Sequence, residues 1–204
     1  MANIKNVVFD FGGVLVDWNP HHLYDKYFGS VEKATWFLEN ICRYAWNLQM
    51  DKGKPFAEGV AELQAIYPEW SEAIGIYHTR WIEMMGGEVE GTAEVLKRLK
   101  AAGYNIYGLS NWSMETFPLV SDKYSIFKEL QGMVVSGQEH LIKPDAAIYN
   151  CLLERFSLEP SESVFIDDNA DNVEGARKVG MHAIHFKSAE QLEQELKEVY
   201  GLEF

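Results

Sequence analysis

Short apolar segments alternate with longer amphipathic segments along most of the chain. Five segments of five to seven residues are rich in β-branched or aromatic side chains and are bounded by turn residues: 6–10, 104–110, 132–136, 163–168 and 182–186. This length and composition are typical of buried β-strands. The pattern therefore predicts a strand at each of these positions.

Several of the intervening segments carry apolar residues at helical spacing. The segments 92–103 and 144–156 place them on one face: Val95, Leu96, Leu99 and Ala102 in the first, and Ile148, Leu152 and Phe156 in the second. Gly103 is a stop signal for the first of these helices. A last helix begins at a capping box of Ser188 and Gln191. We expect that helix to bury three apolar residues: Leu192, Leu196 and Val199.

Strands that alternate with helices in this way indicate βαβ units. The predicted fold class is α/β, a three-layer doubly wound sheet of parallel strands with helices on both faces. Ligands bind such sheets beyond the carboxyl ends of the strands, so chemistry is expected there.

The segment 18–86 interrupts this alternation with consecutive helical patterns. It contains five of the six tryptophans of the chain, and we expect most of its aromatic side chains to pack against one another. We interpret it as a small α-helical cap inserted after the first strand. The core is then formed by residues 1–17 and 87–204.

The charge and composition exclude several classes of protein. With 31 acidic and 18 basic residues the net charge is −13, which disfavours binding to nucleic acid or to an anionic membrane. No apolar run approaches the roughly 20 residues that span a bilayer. The N-terminal sequence has no secretory signal pattern, and the two cysteines form no metal-binding motif, so we expect a cytoplasmic protein.

Polar residues follow four of the predicted structural segments. They are Asp10, Ser110 with Asn111, Lys143, and Asp167 with Asp168. Each has an ordinary structural explanation when taken alone, as a helix cap or a turn residue. If the strands are parallel, however, all of them meet at one edge of the sheet, and together they indicate a site.

Three carboxylates at one edge repel one another unless a cation lies between them. Carboxylate oxygens suit Mg²⁺, which we therefore expect as the cofactor. Lys143, the Ser110 hydroxyl and backbone N–H groups near Gly12 and Gly13 would complement a phosphate. The sequence thus favours phosphoryl transfer, with a carboxylate as the nucleophile.

Four segments resemble, in order, the four signatures of the haloacid dehalogenase-like hydrolase superfamily: "VVFDFGGVL", "YGLSN", "KP" and "VFIDDNADNVEGARKVGM". The resemblance covers residues 4–17 and 87–190, and the insertion is similar to the helical cap of the family. The segments "DFGGVLVD" and "FIDDNADN" are most similar in sequence to the branch that contains bacterial α-glucose-1-phosphate phosphatase and the phosphatase domain of epoxide hydrolases.

The resemblance implies a role for each residue at the sheet edge. Asp10 would be the nucleophile that forms an aspartyl-phosphate and would also bind Mg²⁺. Ser110 and Asn111 would hold the phosphate, and Lys143 would neutralise the nucleophile and the phosphoryl oxygens.

The resemblance also implies the metal ligands, and this chain departs from the family at one position close to them. Asp168 would be a direct ligand and Asp167 a direct or water-mediated one. Most phosphatases of the superfamily carry a second aspartate, the general acid, where this chain has Gly12. The Gly12 carbonyl can still bind Mg²⁺, but a general acid is worth about 10²- to 10⁴-fold in rate.

Three explanations of the missing acid remain open. The leaving group could need little protonation, as in a sugar 1-phosphate. A residue near the cap, namely Asp17, His21 or His22, could supply the proton, although a solvated helix start is the ordinary explanation of the two histidines. Finally, the protein could be a weak catalyst.

The function that we predict is Mg²⁺-dependent hydrolysis of a small phosphorylated metabolite, with sugar phosphates among the candidates. The alternatives are a metal-independent 2-haloacid dehalogenase that uses the same aspartate, and a regulatory domain with little or no catalysis. Candidate substrate contacts are Trp18, Arg43, Trp46 and Trp112. The sequence does not indicate an oligomeric state.

Overall fold

A five-stranded parallel sheet forms the centre of the computed structural model, which describes residues 3–204. The strands in chain order are β1 Asn6–Phe9, β2 Val16–Trp18, β3 Met85–Glu88, β4 Asn105–Ser110, β5 Gly132–Val135, β6 Ser163–Asp167 and β7 His182–His185. The central sheet has the order β5-β4-β1-β6-β7. All five predicted strands are present, and the predicted doubly wound α/β fold is confirmed.

The strand order places β1 at the middle of the sheet, next to both β4 and β6. The chain first builds outward through β4 and β5, and then returns to the other side of β1 for β6 and β7. The order therefore reverses at β1, and ligands bind such sheets at this reversal, beyond the carboxyl ends of the strands. Asp10 is the first residue after β1.

Both faces of the sheet are buried. Val7 and Phe9 point into one apolar cluster and Val8 into another, as the alternation of side chains along a strand requires. The helices in chain order are α1 His21–Phe28, α2 Val31–Asn40, α3 Tyr44–Asp51, α4 Phe56–Ile66, α5 Ser71–Thr79, α6 Thr92–Ala101, α7 Phe117–Ser121, α8 Ser136–Glu139, α9 Ala146–Phe156, α10 Ala170–Lys178 and α11 Ala189–Glu198. No helix of residues 3–204 is long and apolar enough to cross a membrane.

Helices α1 to α5 follow one another without an intervening strand and pack through aromatic side chains. The Tyr24 ring lies 4.9 Å from that of Phe37, and Phe37 lies 5.5 Å from Trp70. The Tyr24 hydroxyl donates to the Ala73 carbonyl over 2.8 Å, which satisfies the one polar atom of that buried side chain.

A two-stranded antiparallel sheet, β2 with β3, joins the two ends of this helical segment to the core. The sequence did not predict it, because β2 has three residues and β3 contains two glycines, which have low strand propensity. The proposed boundaries of the cap at residues 18 and 86 fall within these strands. The division into core and cap stays a prediction.

The predicted cap of the last helix is present, but one of its buried positions is wrong. The Ser188 hydroxyl accepts the Gln191 N–H over 3.2 Å, and Leu192 and Leu196 are fully buried. Val199 is 62% exposed, because α11 ends at Glu198 and the chain then leaves the helical path. Ala102 is exposed for a similar reason, at the end of α6.

Candidate active site

A cavity of about 240 Å³ lies where β1, β4 and β6 end, between the core and helix α3. It is lined by residues of the core and of the helical segment: Asp10, Gly12, Gly13, Trp18, Tyr44, Asn47, Asp51, Trp81, Ser110, Asn111, Trp112, Lys143, Asp168, Asn169 and Asn172. The polar residues that the sequence placed at the sheet edge are therefore brought together, and Asp167 lies directly beneath them against Lys143.

The carboxylate of Asp10 has one occupied oxygen and one free oxygen. Its Oδ1 accepts the Phe11 N–H over 2.6 Å, the Ser110 hydroxyl over 2.6 Å, and the Lys143 ammonium over 2.9 Å. No residue of the described chain, 3–204, donates to Oδ2. The three donors fix the carboxylate, so Oδ2 is the atom available to form a bond with a substrate.

Lys143 is the cation at the centre of this network, and its side chain is wholly buried. Its ammonium donates to Asp167 Oδ2 over 2.6 Å and to the Leu109 carbonyl over 3.1 Å, and it forms an ion pair with Asp10 Oδ1 at 2.9 Å. Burial alone would lower the pKa of Lys143, but the two carboxylates outweigh burial and hold the pKa above its usual value. The lysine is therefore charged.

One ammonium does not balance the carboxylates around it. Burial, and then the charge of Asp167, raise the pKa of Asp10 to about 8, although Lys143 and the Ser110 hydroxyl act in the opposite direction. Ionising Asp10 at neutral pH in the metal-free protein is thus unfavourable. A second positive charge nearby would stabilise the ionised form that a nucleophile needs.

The donor set fits a hard divalent cation. Oxygen atoms of Asp10, Asp167 and Asp168 all lie within 4.8 Å of one another. Asp167 already accepts from Lys143, the Asn169 N–H and the Asn172 amide, whereas no residue of 3–204 donates to the Asp168 side chain. Oxygen ligands of this kind suit Mg²⁺.

The two glycines after Asp10 differ in what the structure requires of them. Gly13 has φ 74°, and a Cβ at this position would collide with the Asp168 carboxylate. Glycine is therefore required there. A Cβ at Gly12 would meet only Trp112 at 3.6 Å and Trp18 at 3.9 Å, which are ordinary contacts. The backbone does not forbid a side chain at Gly12.

Asn111 forms a clamp on the backbone of Lys143. Its amide donates to the Lys143 carbonyl over 3.1 Å and accepts the Lys143 N–H over 2.9 Å. Both polar atoms of the Asn111 side chain are thus used to position the lysine. The residue lines the cavity, and one of the two N–H groups of its amide is already engaged.

The four candidate substrate contacts separate into two pairs. Trp18 and Trp112 line the cavity, and both indole Nε1 atoms are buried without an acceptor among residues 3–204. Trp46 instead points into the packed helices, where its Nε1 donates to the Gly59 carbonyl over 3.1 Å. Arg43 is exposed before α3 and does not line the cavity.

The candidate proton donors of the sequence also lie outside the cavity. His22 Nε2 is 2.7 Å from Asp17 Oδ2, and His21 Nδ1 is 2.7 Å from Asp25 Oδ1. These pairs are partly exposed, and none of their members lines the cavity. The ordinary explanation of the two histidines, a solvated helix start, agrees with these positions.

Sequence reasoning missed six residues of the cavity: Tyr44, Asn47, Asp51, Trp81, Asn169 and Asn172. The signal for three of them was present, since Tyr44, Asn47 and Asp51 are spaced by three and four residues and therefore share one face of α3. Which face of α3 meets the core depends on packing between distant segments, and periodicity does not encode it.

We expect Mg²⁺ to raise the melting temperature of the protein. A ligand at 100 times its Kd stabilises by about 2.7 kcal/mol, which corresponds to roughly 5 to 10 °C for a chain of this size. Differential scanning fluorimetry with and without Mg²⁺ measures the shift. Asp168→Asn should abolish it, and Asp171→Asn, at an exposed position nearby, should retain it. Equal shifts in both variants would contradict this site.

The sequence model of the family described as haloacid dehalogenase-like hydrolase matches residues 4–180. A sesquiterpene phosphatase of Aspergillus oryzae is 24% identical and aligns over 98% of this chain and 98% of its own length. A phosphorylated carbohydrates phosphatase of Thermotoga maritima is 23% identical over 89% of this chain and 84% of its own. Two further relatives are longer proteins, of which the matched segments make up 20% and 19%.

A solved structure supports the same fold. The magnesium complex of a HAD family enzyme of Bacteroides thetaiotaomicron superimposes with a TM-score of 0.73 and covers 96% of this chain and 100% of that chain. The two sequences are 20% identical, so the likeness concerns the fold alone.

Proposed function

The chain belongs to the haloacid dehalogenase-like hydrolase family, and from this membership we propose that it is a Mg²⁺-dependent phosphatase acting on a small phosphorylated metabolite. The observation that carries the proposal is Asp10, whose Oδ1 is fixed by three donors while Oδ2 is free at the cavity. A carboxylate held in this way is suited to nucleophilic attack.

The reaction has two steps in this proposal. Asp10 Oδ2 attacks phosphorus to form an aspartyl-phosphate, and water then hydrolyses it. Lys143 holds the charge on Asp10 Oδ1 throughout, and Ser110 keeps the carboxylate oriented. Ser110 and Asn111 both line the cavity. The Ser110 hydroxyl stays on Asp10, and the second N–H of the Asn111 amide is left for the phosphate.

Mg²⁺ would be held by Asp10, Asp168, the Gly12 carbonyl and, directly or through water, Asp167. It would supply positive charge beside the phosphoryl oxygens. The excess of carboxylate over ammonium charge at the site supports this assignment, because burial and Asp167 raise the pKa of Asp10 in the metal-free protein.

The substrate class follows from the other wall of the cavity. Trp18 and Trp112 offer two buried indole N–H groups without acceptors among residues 3–204, and the Asn47 side-chain oxygen lacks a donor there. A leaving group that carries oxygen atoms would satisfy these groups, since a buried polar atom without a partner is unfavourable. A sugar phosphate has this character.

The test is a panel of phosphate esters assayed for phosphate release. We expect turnover in Mg²⁺, its loss in EDTA, and its recovery when Mg²⁺ is restored. Chloroacetate, the substrate of the dehalogenase alternative, should remain unchanged. Consumption of chloroacetate in EDTA would overturn the proposal, and the absence of both activities would favour a regulatory domain.

A further inference from the structure

Helix α3 presents a polar face to the cavity. Tyr44, Asn47 and Asp51 are spaced by three and four residues, and all three line the cavity. Trp46 and Met50 of the same helix are buried among apolar side chains. A helix that only covered the cavity would need no carboxyl group there, and Asp51 is not used by the two steps described above.

Asp51 is 8% exposed and held in place by its neighbours. Its Oδ2 accepts the Asn47 amide N–H over 2.8 Å. Asn47 is itself 4% exposed, and its Oδ1 has no donor among residues 3–204. A buried carboxyl beside an acceptor that lacks a donor indicates that a hydrogen-bonding group of a ligand completes this part of the cavity.

One hydroxyl fixes the end of α3 to the core. Ser136 Oγ donates to the Asp51 carbonyl and accepts the Trp112 N–H over 2.8 Å. Trp112 follows β4, two residues after Ser110, which contacts Asp10. The position of Asp51 is therefore set by the same loop that builds the nucleophile's surroundings.

The surroundings of Asp51 favour its neutral form. Burial, and then the negative charge of Asp10, hold the pKa of Asp51 well above its usual value, although the Ser113 N–H and Lys143 act in the opposite direction. Two phenols, Tyr44 and Tyr77, also interact with the charge of Asp51, and burial raises the pKa of both. The protonated form of Asp51, which a proton donor needs, is thus favoured over that of an exposed aspartate.

We propose that Asp51 is the general acid and base that Gly12 cannot be, an inference that rests on the proposed phosphatase function. As Asp10 Oδ2 bonds to phosphorus, the bond to the leaving oxygen breaks and that oxygen keeps the electron pair. It takes the proton of Asp51 and departs as an alcohol. Water then attacks phosphorus and gives a proton back to Asp51. The bond between phosphorus and Asp10 breaks, which frees phosphate and restores both carboxyl groups.

The test compares leaving groups, because a proton donor matters most when the departing oxygen is a poor leaving group. The readout is kcat/KM, which reports the steps through formation of the aspartyl-phosphate. For Asp51→Asn we expect kcat/KM to fall by about 10²- to 10⁴-fold on an alkyl phosphate such as glycerol phosphate, and by less than about tenfold on p-nitrophenyl phosphate. Asp51→Glu should recover part of the alkyl activity.

A matched control is Glu115→Gln. The Glu115 carboxylate accepts the Phe56 N–H at the edge of the helical segment, and Glu115 does not line the cavity. It should leave both activities unchanged. The activity on p-nitrophenyl phosphate also reports whether each variant is folded.

Each other outcome overturns the inference. An equal loss on both esters in Asp51→Asn, without recovery in Asp51→Glu, would make Asp51 a structural residue. No loss on either ester would place the proton donor elsewhere. If the wild-type protein hydrolyses neither ester, the proposed function and this inference both fail. If the wild-type protein hydrolyses the esters but Asp51→Asn loses no more activity on the alkyl phosphate than on p-nitrophenyl phosphate, this inference alone fails.

Discussion

Asp10→Asn is expected to lower kcat/KM for every phosphate ester by about 10⁴-fold or more, because it removes the atom that bonds to phosphorus. Asparagine has nearly the same shape, and its side-chain oxygen can accept the same donors from Phe11, Ser110 and Lys143. The fold should therefore persist. Phosphate release measures the loss of activity, and the melting temperature measures the fold.

The matched control for this prediction is Asp17→Asn. Asp17 is paired with His22 outside the cavity, so the same substitution there should leave turnover close to that of the wild type. A folded Asp10→Asn protein that retains wild-type turnover would eliminate the aspartyl-phosphate mechanism. Wild-type protein quenched during turnover should also carry phosphate on Asp10.

Lys143→Met is expected to destabilise the protein by about 3–5 kcal/mol, because it leaves Asp10 and Asp167 buried without their ammonium partner. For a chain of this size the melting temperature should fall by roughly 6 to 20 °C. Activity should be lost as well. The Lys143 charge opposes the rise in the pKa of Asp10, so its removal should raise that pKa further.

The direction of the pH dependence follows from that shift. A carboxyl group whose folded pKa lies above its unfolded value stabilises the fold in acid and loses this contribution as pH rises through the folded pKa. The loss of unfolding free energy caused by Lys143→Met should therefore be smallest in acid and grow toward alkaline pH. Thermal melts at several pH values measure it.

A matched control is Lys5→Met. Lys5 pairs with Glu162 at 2.7 Å, a distance like that of the buried pairs, but the two side chains are 55% and 26% exposed. Removing this exposed pair should cost at most about 1 kcal/mol. Equal losses in Lys5→Met and Lys143→Met would contradict the importance that we assign to burial.

The sheet and its polar edge could be predicted because each part depends on local sequence. The strand that ends at Asp10 and the strand that ends at Asp167 have strong β-propensity and sharp turns, and parallel pairing then brings their ends together. The capping of α11 by Ser188 is equally local. The elements themselves need no knowledge of distant contacts, and a general rule for parallel sheets then supplies the meeting of their ends.

The opposite wall of the cavity could not be predicted from the same signals. Trp46 and Asp51 lie on one short helix, and only the packing of α3 against α4 and α8 directs Trp46 inward and Asp51 toward the cavity. The β2–β3 sheet depends on pairing between Val16–Trp18 and Met85–Glu88, segments far apart in the chain whose contact local propensity does not report. The side of the cavity formed by α3 is therefore the part that the sequence left open.

Lys143 is the one lysine, arginine or histidine of residues 3–204 that lines the cavity, and its ammonium is already in contact with oxygens of Asp10, Asp167 and Leu109. An entering phosphate dianion thus meets no uncommitted side-chain cation. Its charge must be met by backbone N–H groups and by whatever ion the carboxylates hold. Anion and metal binding are then thermodynamically linked, and each must raise the affinity of the other by the same factor.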